Sequence, residues 1–204
     1  LLGTNPLPLH DVPARAWFAR AELARKTGQR TLERYALITG TKSAPLDAPT
    51  ALRAELGRAW QRLYEIQLED GDLSQAEVSL THALCCSPER AAALEPLWVE
   101  LGQKALATRG ASSPYLLYAR AKNQDDRGLP VPALSDAREL LKTYPGLGPA
   151  LEIVSRAANK LRDFPQMIAA SLELLERGWP GAGASARLRD VPKDYFLPQD
   201  RVRW

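Results

Sequence analysis

The chain has 204 residues, 45% of them hydrophobic and 25% charged, an ordinary balance for a folded protein that excludes wholesale disorder. Its net charge of +3 is mild and its acidic residues are spread along the whole length, so nucleic acid is an unfavoured partner for this segment. No apolar run approaches the roughly 20 residues that span a bilayer.

Strand signals are scarce: β-branched residues are thin, alternation is absent, and Ala, Leu, Arg and Glu fill the segments between breakers. Helices are expected over 11–27, 30–40, 49–70, 73–86, 88–109, 114–127, 131–143, 148–161 and 165–177. The connections are short, which makes successive helices antiparallel neighbours. Asp47 or Thr50 is suited to cap the third helix, and Ser74 or Asp72 the fourth. Ser87-Pro88 and Ser113-Pro114 each read as a stop followed by a proline in the next first turn. The stretch 178–186 is rich in Gly, Ala and Ser and marks the expected end of the packed body. Beyond it, 187–204 carries Tyr195, Phe196 and Trp204 and is left open as docked or mobile. The division is therefore a helical domain over 1–180 and a tail over 181–204. The chain starts Leu1-Leu2-Gly3 without Met, as a processed protein or a piece of a longer one would.

A spaced mark recurs along these helices: a large apolar residue, then Gly eleven residues on, then Pro after seventeen more. Trp17, Gly28 and Pro45 form the first copy, Trp60, Gly71 and Pro88 the second, and Leu117, Gly128 and Pro145 the third. Such a period signals a repeated helix–turn–helix unit. In the second copy Trp60, Leu63, Leu68, Ala76, Leu80, Ala83 and Leu84 recur at helical spacing. Ala76 and Ala83 fall where the paired helices approach closely, and Gly71 permits the backbone turn between them. Trp17, Trp60 and Trp98 are expected between helices.

The segment 58–90, with Trp60-x-x-Leu63, Gly71-Asp72, Ala76, Ala83-Leu84 and Pro88, resembles a tetratricopeptide repeat. It departs at Tyr64, where the family favours a small residue, and at Gln67, where Tyr is common. The first copy matches with Trp17, Ala21, Gly28 and Pro45 but has Glu33 in place of Ala76, and the third fits with Ala121, Gly128, Ala133, Leu140-Leu141 and Pro145. A degenerate fourth runs through Ser155, Phe164, Leu174-Leu175 and Pro180, with Arg162 where the turn Gly belongs. The copies lie 43 and 57 residues apart against a family period of about 34. The helix at 114–127 is thus left open as the second of one pair or the first of the next.

The resemblance implies an all-α, right-handed α-solenoid of antiparallel pairs, about nine helices in all, that binds a protein or peptide without catalysis. In the family the first helix of each pair lines a concave groove. Carried across, the groove positions are Arg15, Phe18, Glu22, Arg25 and Lys26, then Arg58, Gln61, Glu65 and Glu69. Tyr115, Tyr118 and Lys122 follow from the third copy, and Arg156, Asn159 and Lys160 from the fourth. Aromatics beside Arg and Lys suit an acidic or C-terminal peptide, although the Lys/Asn clamp by which some family members hold a terminal carboxylate is not reproduced. Two other readings stay open: the helical module of a bacterial transcriptional regulator whose nucleic-acid-binding domain lies elsewhere, and self-association through the tail.

Other candidate chemistry is thin. His82, Cys85 and Cys86 lie at spacings a helix brings together, but a metal needs further ligands that the chain does not supply nearby. The plainer expectation is Cys86 in an apolar slot, Cys85 outward and His82 on the surface. A bridge between neighbouring cysteines would be strained, with Cα atoms about 3.8 Å apart. Asp125-Asp126 and Glu69-Asp70 read as solvated turn residues, and no phosphate loop, dinucleotide turn or nucleophile elbow is present. No cofactor or metal is expected. The compartment is left open, with a slight lean to the cytoplasm.

Overall fold

A computed structural model describes residues 12–44, 48–109, 113–180, 183–192 and 195. The described residues are helical, with ten α-helices, one 3-10 turn and no strand. Two compact units divide the chain, residues 1–87 and 88–204.

The first unit holds α1 (Val12–Lys26), α2 (Arg30–Ser43), α3 (Thr50–Glu69) and α4 (Leu73–Cys86). α1 pairs with α2 and α3 with α4, while α2 and α3 touch more lightly. Ala21, Ala36, Leu37, Ala59, Leu63 and Ile66 form one buried cluster, with Trp17 and Trp60 half-buried against it. The small residues let the backbones approach, and the large ones fill the space between. Asp72 caps α4, accepting from the Gln75 N–H at 3.1 Å, whereas Pro49 precedes α3 with no side-chain cap. Asp47 and Pro45 lie outside the described residues.

The second unit opens with a 3-10 turn, Pro88–Arg90, ahead of α5 (Ala91–Arg109). Then come α6 (Pro114–Asp126), α7 (Pro130–Thr143), α8 (Gly148–Lys160), α9 (Phe164–Arg177) and α10 (Ala184–Arg189). Each of α6 to α9 packs on the next. α6 is therefore the first helix of a pair with α7, which settles the register the sequence left open. Trp98 of α5 is fully buried, edge-on to Tyr115 with ring centroids 5.6 Å apart. Ser113 caps α6 by accepting from the Leu116 N–H at 3.2 Å. The tenth helix begins within the stretch where packing was expected to end and runs past it. Its Leu188, with Val191, is buried against Ala158, Met167, Ile168 and Leu172, and Tyr195 packs on Phe164 with centroids 4.8 Å apart. Phe196 and Trp204 lie outside the described residues.

Among the described residues one turn joins the two helices of a pair four times. Gly28, Gly71 and Gly128 are left-handed, with φ of +70°, +76° and +73°. In the second, the Gly71 N–H donates to the Leu68 carbonyl at 3.1 Å and the Asp72 N–H to the Gln67 carbonyl at 2.9 Å. This closure pairs the last carbonyls of the helix and reverses the chain in two residues. Arg162, the residue standing where the fourth copy lacks glycine, adopts the same conformation at φ +59°. Its N–H donates to Asn159 at 3.0 Å and that of Asp163 to Ala158 at 2.9 Å, so the bonding is unchanged.

Five residues after each turn the second helix meets the first. Ala76, Ala133 and Met167 are fully buried there. In the first pair that place belongs to Glu33, buried as well, and its carboxylate is matched by Arg62 of α3, with Nε 2.7 Å from Oε1. A charge at a core position is held there by a cation from the following helix.

Candidate binding cavity

In the second unit four helices converge on a cavity of about 270 Å³. α5 supplies Glu95, α6 supplies Tyr118 and Lys122, and α8 supplies Gly148, Glu152 and Arg156. Leu174 of α9 and the following Trp179 close the remaining side. The helical period explains the sets, since residues four apart share a face. Gly178, left-handed at φ +74°, ends α9 and lets the Trp179 N–H reach back to the Leu174 carbonyl at 3.0 Å. The indole then lies so close to Gly148 that a β-carbon there would overlap the ring. Only glycine at the start of α8 admits this wall.

Charge around the cavity is largely neutralised by neighbours. Arg156 Nη2 lies 2.9 Å from Asp125 Oδ2, and Lys160 Nζ lies 2.6 Å from Oδ1 of the same buried carboxylate. Lys122 pairs with Asp126 at 2.7 Å, and Arg187 of α10 holds Glu152 at 2.7 Å. Glu95 differs: among the described residues no cation pairs with it. Burial pushes its carboxyl above the usual carboxylate range. Burial also pushes the Tyr118 phenol up to about 12, with the Glu95 carboxylate adding to the shift. The volume suits one side chain better than a cofactor.

The fourteen residues expected in a groove, and Glu69 beside them, fall into several environments. Tyr118, Lys122 and Arg156 come together at this cavity. Tyr115 does not join them: it is buried, with Gly102 packed against its ring. Phe18 also turns inward, onto Gly40 and the cores of the first unit. Arg15 reaches Glu55 at 3.3 Å, and Glu22 binds Arg25 and Lys26 of its own helix. Gln61 donates to Glu65 at 3.3 Å, and Glu65 also accepts from Arg62 at 3.0 Å. Glu69 and Asp70 anchor Arg30 of α2 at 2.7 and 2.8 Å. Arg58 and Asn159 are exposed, and Lys160 is taken up by Asp125.

Three expectations are corrected here. Asp125 is a buried ion-pair centre joining α6 to α8, not a solvated turn residue. Cys85 points inward and is buried, while Cys86 packs half-buried on the core around Leu52 and Leu56. His82 is not a surface residue: its ring stacks on Trp60 at 4.4 Å and 18°, and burial lowers its pKa to about 4. Among the described residues no three His, Cys, Asp or Glu side chains are grouped to hold a metal ion.

Sequence reasoning missed Glu95 and Trp179. For Glu95 a signal existed, since it is the lone charge in the apolar run Ala91 to Val99. Trp179 stood just beyond a predicted helix, with nothing local to say which way it would fold.

Comparison with protein-family models, with curated proteins and with solved structures finds no match. Among the described residues no helix is long and apolar enough to cross a membrane.

Proposed function

We propose that this chain is a helical-repeat binding protein of the tetratricopeptide kind, whose pairs stack with a right-handed sense and hold a protein or peptide partner without transforming it. The observation that carries this reading is the fourfold turn, with its matched buried position five residues on. A unit so repeated gains its stability from stacking on its neighbours, and it leaves the outward faces of its helices free to recognise a partner. The cavity bounded by Tyr118, Lys122, Glu152 and Trp179 is the contact point assigned to that partner. Residues 183–192 pack on α8 and α9 of their own chain, which favours an outside partner over exchange of this segment between copies.

Affinity capture with the full chain, followed by calorimetry against the captured partner's binding segment, tests the reading. Tyr118→Ala, which removes one wall of the cavity, should weaken that complex severalfold, and Arg58→Ala in the other unit should weaken it less. A chain that binds no protein or peptide saturably, or that turns over what it captures, overturns the assignment.

A further inference from the structure

We propose that the cavity of the second unit receives a cationic side chain, lysine or arginine, of the partner, with Glu95 as its counter-ion and Tyr118 and Trp179 as its walls. This rests on the reading of the chain as a binding protein and names what that site recognises.

Lys122, Glu152 and Arg156 each have an opposite charge within 2.9 Å, supplied by Asp126, Arg187 and Asp125. Glu95 lines the same space without one, half-buried on α5. A carboxylate partly withdrawn from water and lacking a partner is relieved by any cation brought beside it. The remaining surface suits that cation's stem and head. Ile153 and Leu174 are aliphatic, and an ammonium or guanidinium group gains from the face of Tyr or Trp within about 6 Å of the ring centre. The volume of about 270 Å³ admits one long side chain.

An anionic ligand fits less well. Two donors at the cavity, Trp179 Nε1 and Arg156 Nε, lack hydrogen-bond partners, and an entering carboxylate would answer them if it could reach them. Both atoms are sealed within the packing, and the unmatched Glu95 carboxylate repels it. The aromatic and basic residues that suggested an acidic peptide are in this way redirected: the cations are already matched, and the unmatched group is an acid.

The test follows the indole N–H resonance of Trp179 in the nitrogen-labelled full chain, with blocked single amino acids as ligands. N-acetyl-lysine and N-acetyl-arginine methylamides should shift it saturably, with dissociation constants on the order of millimolar. The uncharged norleucine analogue should bind about tenfold more weakly or worse, and the glutamate analogue should not bind. Glu95→Gln should lower the lysine analogue's affinity about tenfold while leaving the unliganded spectrum folded. Tyr118→Leu, which keeps the charge and removes one wall, should weaken it by a smaller factor. Full affinity in Glu95→Gln, equal binding of the norleucine or glutamate analogue, or no shift with any ligand would overturn the cation assignment. Those outcomes leave the broader reading standing, because that reading fails only if the chain has no saturable protein or peptide partner or converts it.

Discussion

Lys160, at the end of α8, donates to Asp125, at the end of α6, through both the carboxylate at 2.6 Å and the backbone carbonyl at 2.9 Å. Arg156, one turn earlier, takes the second carboxylate oxygen. Asp125 is 3% exposed whereas the two cations keep more than a third of their side chains in water, so the cost of removal is asymmetric. Asp125→Ala, which strips both cations of their shared acceptor, should destabilise the second unit by about 1–3 kcal/mol, short of the roughly 3–5 kcal/mol for a stranded buried charge because both cations can turn to water. Lys160→Ala should cost under about 1 kcal/mol, since Arg156 still answers the acid. Urea unfolding of the two variants checks the order, and equal losses would contradict it.

The left-handed arginine gives a prediction of opposite sign. Arg162 occupies a conformation that costs an L-residue about 1–2 kcal/mol and that its three counterparts fill with glycine. Arg162→Gly should therefore raise stability by about 1 kcal/mol, offset in part by the freer unfolded chain. A higher denaturation midpoint with an unchanged slope is the expected result.

His82 makes the first unit acid-sensitive. Its folded pKa is lowered to about 4 from an unfolded value near 6.5, so between those values the unfolded chain binds more protons than the folded one. Stability then rises with pH through the window and is lost as pH falls from about 6.5 toward 4, by up to about 3 kcal/mol. His82→Phe keeps a ring against Trp60 and removes the titration. Melting curves across the window should separate the two proteins at low pH and bring them together near pH 7. A wild-type curve parallel to the variant's would refute the assignment.

Gly148 has no room for a side chain. A β-carbon there would overlap the Trp179 indole, so Gly148→Ala must push the ring aside at a cost of about 1–3 kcal/mol. The displacement should appear as a shifted Trp179 indole resonance and weaker binding at the cavity, with the first unit's resonances unmoved. Gly71→Ala makes a contrast: space is open there, and only the positive φ of +76° penalises the change.

Much of the fold was legible along the chain. The predicted spans differ from the observed helices by three residues or fewer at each end, because Ala/Leu/Arg/Glu runs, capping residues and turn glycines are local signals. Glu33 shows where that legibility stops. Its place in the repeat marked it as an intruder, and only Arg62, twenty-nine residues later, explains how a carboxylate is tolerated there. Tyr115 and Tyr118 show the same limit more sharply. Both sit on one helix and both were expected on a surface, yet the first is buried and the second lines the cavity.

Read locally, the residues specify α1 to α9, the two-residue turns within the pairs and the all-α class, since each depends on neighbours a few positions away, whereas α10 emerges only from its packing on α8 and α9. The tertiary structure decided which charges remain unanswered. Whether Asp125 or Glu95 meets a cation depends on helices folded in from thirty or more residues away, and burial then sets how much that meeting matters.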